Sequence, residues 1–153
     1  YSIELIGIMS LWLGLMKVAE EAGLIETLAK ILRPFTRLLF PSLPSSHPAL
    51  GSILMNFSAN LLGLGNAATP FGLKAMQELQ EINPNKEEAS DAMCTFLAMN
   101  TANITLLPAT IIGIRLAAGS TNPTEIIGTT LFATTIGFTV ALVADGIMRH
   151  LHK

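Results

Sequence analysis

Formal charge is scarce in this sequence. Asp, Glu, Lys and Arg make up 13% of its 153 residues, about half the roughly 25% that solvates an ordinary soluble domain. Cysteine is nearly absent: Cys94 stands alone inside an apolar stretch. That excludes an internal disulfide and a CxxC metal or redox motif, and the expectation there is a buried, inert thiol. A basic surplus is missing as well. A net charge of −2 and a pI near 5.9 leave no field to hold nucleic acid. The sequence holds no Ser/His/Asp set, HExxH motif, P-loop or carboxylate pair, so neither an enzyme, a metal centre nor a cofactor is expected. No small-residue cleavage pattern follows the first apolar segment, so no signal peptide is expected. The chain starts at Tyr1 without methionine, and the expectation is that further residues precede it.

What is present is apolar. Half of the residues are hydrophobic and the mean hydropathy is +0.53. The charges cluster, leaving 26 uncharged residues from Pro48 to Leu73, 23 from Ala92 to Ile114 and 19 from Ile126 to Ala144. About 20 apolar residues cross a bilayer as helix. The expected class is therefore an all-α integral membrane protein in one domain over residues 1–153. A soluble bundle with buried core helices is the alternative.

The segments differ in kind. An apolar piece runs from about Ile3 to Val18 and breaks near Gly23. Residues 24–40 place Leu24, Leu28, Ile31, Phe35 and Leu38 at helical spacing, with Glu26, Lys30, Arg33 and Arg37 opposite. That pattern predicts an amphipathic helix lying in the membrane interface, kinked at Pro34 and ended by the proline-rich turn after Phe40. An apolar stretch then runs to Leu62, followed by the break GLGNAATP and a second helical piece from about Phe71 to Glu81. Beyond a polar loop, a helix starting near Asn85 takes Glu87, Glu88 and Asp91 into its first turn and is disturbed between Asn100 and Pro108. Thr124 is the expected cap of a last helix reaching about His150.

Charge sorting decides how the middle is threaded. Were residues 48–73 to cross the membrane, the nine Lys and Arg would split five to four. Were residues 48–82 a re-entrant hairpin, eight would share one face and only Arg115 would lie on the other. The positive-inside rule favours the hairpin, with the eight in the cytoplasm.

Two polar breaks then face each other in an apolar setting. In the first, Gly63, Gly65, Asn66 and Thr69 form a non-helical tip from Gly63 to Pro70. Its second half-helix offers N–H donors near Ala67 to Phe71, and its first half offers free carbonyls for a coupling cation. In the second, Asn100, Thr101 and Asn103 precede Pro108, which removes the hydrogen bond to the Ile104 carbonyl. Paired discontinuous helices are the pattern of a transporter site. Small residues and asparagines that merely let helices approach and bond are the competing explanation, favoured for Asn56 and Asn60 by themselves. Lys74, Arg115 and Asp145 read as interfacial anchors; Gly128, Gly137 and Gly146 as a close-packing face.

The stretches LWLGLMKVAEEAGLIETLAKILRPFTRLLFP, HPALGSILMNFSANLLGLGNAATPFGLKAMQELQ, TFLAMNTANITLLPATIIGIR and PTEIIGTTLFAT resemble the spore maturation protein A family. These proteins form part of the nucleoside-recognition, or Gate, group. The similarity covers nearly the whole chain. It implies a bacterial membrane protein working beside a second Gate protein like spore maturation protein B, linked in spore formers to dehydration of the spore core. It also implies likeness to one repeat of concentrative nucleoside transporters, which carries the hairpin tip to Gly63–Pro70 and the unwound segment to Asn100–Pro108. The functional expectation is half of a small-solute transporter in the cytoplasmic membrane, multi-pass, contacting lipid and paired with a second Gate protein or another copy. The alternative is a scaffold or binding subunit that moves nothing.

Overall fold

The computed structural model describes residues 6, 7, 10, 14, 18, 21–44 and 47–151, without the side chains of residues 24–26, 37, 66 and 67. The expected first segment falls largely outside them. Six α-helices follow: α1 (Leu24–Leu39), α2 (Pro48–Leu61), α3 (Gly65–Glu81), α4 (Asp91–Thr101), α5 (Ala109–Ala117) and α6 (Ile126–Leu151), the last entered through a 3-10 turn, Pro123–Glu125. Among the described residues there is no strand.

Helix α1 runs through Pro34 as one element. Its stripe is divided between two surroundings. Ala29, Thr36 and the flanking Phe40 are buried, and Leu28, Leu32, Phe35 and Leu39 pack against the core. Ile31 and Leu38 stay exposed, at 66% and 77%, so this helix has an apolar edge left over for a second apolar medium.

Helices α2 and α3 form an antiparallel hairpin, tied near its open end by the Ser52 hydroxyl, which donates to Glu78 Oε2 at 2.6 Å. His47 starts the hairpin as an N-cap, its Nδ1 accepting from the Ala49 N–H at 3.2 Å, with Pro48 at the first helical position. At 1.5 Å per residue α2 is about 21 Å long, short of the ~30 Å hydrocarbon core.

The tip is narrower than the sequence suggests. The turn is Leu62–Leu64 alone, and helix resumes at Gly65, with Asn66, Thr69 and Pro70 inside it. Gly63 makes this sharpness feasible: at φ +75° it is the left-handed residue that ends α2. Its N–H bonds Asn60 O and the Leu64 N–H bonds Ala59 O, both at 2.9 Å, the Schellman pattern.

Helix α4 also starts later than expected. Asn85 spends its side chain on a turn, accepting from the Glu87 N–H, and Ser90 is the N-cap of a helix whose first residue is Asp91. Glu87 and Glu88 therefore lie in the loop. Thr124 does not cap α6 either; it sits within the 3-10 turn, bonded to Asn122 Oδ1.

Helix α6 with its leading turn, Pro123–Leu151, has a mean hydropathy of 1.9 and is 6% buried over its most apolar window; it is the one helix among the described residues long and apolar enough to cross a membrane. A core helix of a soluble bundle would be covered. This one is bare. Its outer threonines turn inward on their own backbone, Thr135 to Leu131 O and Thr139 to Thr135 O, leaving Phe132, Ile136, Val140 and Val143 outermost. Among the described residues a Cβ added at Gly128, Gly137 or Gly146 would meet nothing within 4 Å, so these glycines make no close packing with that part of the chain. Cys94, expected to be buried, is exposed; apolar flanks do not imply burial when the exterior is apolar too.

Phe35, Phe57 and Phe138 hold α1, α2 and α6 together, with ring centroids 5.6–6.2 Å apart. Asp145 is no surface anchor: its side chain is 9% exposed, 3.0 Å from Arg149, and accepts from the Thr95 hydroxyl at 2.8 Å. That contact pins α4 to α6.

Candidate functional site

The hairpin tip and the second break meet. Between α4 and α5 the chain leaves helical geometry over residues 102–108. The Leu106 N–H there donates to Leu61 O at 2.9 Å, and a Cβ on Gly63 would lie 2.2 Å from Leu107 O. The tip thus rests directly on backbone, which only glycine permits.

Beside this junction, a groove of about 300 Å³ opens between α2, α3 and α4, lined by Asn56, Asn60, Gly65, Thr69, Leu73 and Asn100 among others. Three amides span it. Asn56 Nδ2 donates to Ala68 O at 2.8 Å, Asn60 Nδ2 lies 3.3 Å from Asn56 Oδ1, and the same nitrogen donates to Asn100 Oδ1 at 2.8 Å. Asn56 and Asn60 are buried. Two of these three bonds cross between helices, and desolvation of the amides is offset by their partners. Gly72 leaves room for this: a Cβ there would come within 2.8 Å of Asn56 Nδ2.

The structure gathers some expected residues and disperses others. Gly65, Thr69 and Asn100 line the groove. Gly63 is at the junction. Thr101, the last residue of α4, is exposed, and Asn103 is half-buried in the break; neither is among the groove's lining residues. Asn66 occupies the first turn of α3, its side chain outside the described residues. Asn56 and Asn60 were absent from the expected site, yet they form its floor. The available signal was their spacing of four within an apolar stretch, which fixes a shared helix face but not the helix opposite.

The backbone expectations shift too. The free N–H groups at the tip belong to Gly65, Asn66 and Ala67, because the Ala68 N–H already bonds Leu64 O, and no side chain caps this end. The carbonyls expected to be free at the end of α2 are engaged instead. Ser58, Ala59, Asn60 and Leu61 each accept a backbone N–H, which leaves each carbonyl its second lone pair. Among the described residues no cluster of three or more His, Cys, Asp or Glu stands in position to hold a metal ion.

The Gate family profile, described as nucleoside recognition, matches residues 2–118. The chain belongs to the Gate family. Within it, the chain is 49% identical over 152 residues to spore maturation protein A of Bacillus subtilis (strain 168), covering 99% of this chain and 78% of that one. No solved structure matches. Gate membership and the bare, apolar α6 together mark a helical membrane protein.

Proposed function

We propose that this Gate protein is one half of a small-solute transporter in the bacterial cytoplasmic membrane. The α2–α3 hairpin dips into the bilayer from the cytoplasmic face, and its tip meets the α4–α5 break at depth. One observation carries the reading: two interrupted elements touch, tip to break, with an amide-lined groove beside them. Irregular backbone at membrane depth is tolerated only against protein or a water-filled cavity, and such a pair of breaks is the general architecture of a midplane site. A second Gate protein, or a second copy, would supply the other half. By likeness to its Bacillus relative, the complex would serve spore maturation in a spore former.

The same three amides also staple α2 to α4, which is what a non-transporting scaffold would need. Flux in proteoliposomes separates the two roles. With a second Gate protein co-reconstituted, uptake of a panel of small neutral polar solutes is expected, and Asn60→Ala with Asn100→Ala should slow it at least about tenfold, ~1.4 kcal/mol on the barrier. Unchanged uptake in the double variant would remove the site from the groove. An intact complex that moves no solute would make the chain a scaffold.

A further inference from the structure

The asparagine groove does not end at Leu73. A second groove, about 480 Å³, runs on along α3 to the loop before α4, lined by Leu73, Met76, Gln77, Gln80, Glu81 and Lys86. Leu73 and Met76 line both. Thr69, Leu73, Met76 and Gln80 recur at helical spacing on one stripe, and Thr69 to Gln80 spans about 16 Å of helix axis.

This stripe differs from the lipid-suited face of α6. There the outermost residues are apolar and the threonines bond their own helix. On α3 the outer surface carries an amide instead: Gln77 is exposed, and Gln77 and Gln80 both line the second groove. A primary amide facing hydrocarbon would have its donors and acceptor stripped of water at a cost of several kcal/mol on the cyclohexane scale. Wet surroundings remove that cost. Charge is confined to the mouth, where Lys86 Nζ is held by the carbonyls of Gln80 and Glu81; inward of it the lining residues of both grooves are amides, a hydroxyl and apolar groups.

Building on the transporter reading, we propose that the two grooves form one wet half-channel from the cytoplasmic loop at residues 82–90 to the asparagine chamber. Leu73 and Met76 are its apolar gate, and its cargo is an uncharged, hydrogen-bonding solute. The gate follows from position: Leu73 and Met76 sit where the two grooves join, and once a partner covers the open side, apolar side chains at such a neck close it by excluding water. Met76 leans on the core cluster while Leu73 is 63% exposed, so Leu73 is the freer of the two to swing.

Cysteine accessibility in right-side-out and inverted membrane vesicles tests this without any solute, so its outcome is independent of whether flux is ever detected. In a Cys94→Ser background, the impermeant cation MTSET is applied to Gln77→Cys, Gln80→Cys, Thr69→Cys and, as the lipid-facing control, Val140→Cys. The first two should react quickly from the cytoplasmic side, Thr69→Cys slowly, and Val140→Cys from neither. Adding Met76→Ala, or Leu73→Ala where the first variant does not fold, should speed reaction at Thr69→Cys by about tenfold, ~1.4 kcal/mol of barrier. A Gln77→Cys as inert as Val140→Cys would mean that the stripe is sealed by lipid or protein, overturning the channel. Thr69→Cys reactivity indifferent to both alanine variants would overturn the gate.

Discussion

Replacing Gly63 by alanine should destabilise the fold by roughly 2–5 kcal/mol, the sum of a left-handed backbone cost and overpacking. Gly63 has φ +75°, and the new methyl carbon would stand 2.2 Å from Leu107 O. A rigid backbone carbonyl cannot rotate away as a side-chain tip would. Either the turn loses its Schellman bonds or the tip lifts from the break, and the Leu106–Leu61 bond goes with it. Thermal unfolding in detergent should show a midpoint lower by about 10 °C, on the scale of a few degrees per kcal/mol for a chain of this size. Gly65→Ala is the control. Its Cβ would meet nothing within 4 Å and it lies within helix, where alanine is favoured over glycine. Equal losses at the two positions would contradict the proposed contact of tip with break.

Phe57→Ala is expected to cost about 3–5 kcal/mol, as for deletion of a buried aromatic. Phe57 is 3% exposed and lies within 6.1 Å and 5.6 Å of the Phe35 and Phe138 rings, so the cavity would open where three helices join. In a bilayer the transfer contribution is weak, because lipid tails are as apolar as the core. The loss therefore reports packing. Phe132, 70% exposed on α6, removes the same ring where lipid can fill the space, and Phe132→Ala should shift the unfolding midpoint little. A large loss at Phe132 would show that this face is packed by protein, and a small loss at Phe57 would break the three-helix junction assigned here.

These contrasts also show what could be read ahead of the structure. Gly63 and Pro108 announce interruptions because their chemistry is local: one permits positive φ, the other withdraws an N–H. Extents were harder. The sequence extends the tip to Pro70, yet a proline near the start of a helix removes only one hydrogen bond, here to the Asn66 carbonyl, and α3 runs through that loss. Uncharged length does not reveal threading: in the proposed arrangement the stretch from Pro48 to Leu73 turns back at Gly63, while that from Ala92 to Ile114 crosses in two pieces. Partnership was the least legible. Asn60 finds Asn100 forty residues away, whereas Thr101, next on α4 and so on another face, and Asn103, beyond the helix end, do not line the groove.

The distribution of charge acquires a physical basis from the hairpin. Ser52 and Glu78 bring the two open ends of α2 and α3 together, so the loops before Pro48 and after Glu81 emerge at one end of the fold. In the proposed topology, with α4–α5 and α6 each crossing the bilayer, the eight cations share that side and Arg115, which reaches Asn122 O and Glu125, lies on the other.

That arrangement is the centre of the account, and sided labelling tests it most directly. Single cysteines at Ser42, Asn85 and Thr121, again with Cys94→Ser, would be treated with an impermeant maleimide in vesicles of known orientation. Ser42→Cys and Asn85→Cys should label only from the cytoplasmic face and Thr121→Cys only from the opposite one. Labelling of positions 42 and 85 from opposite faces would contradict the hairpin, and with it the site at its tip.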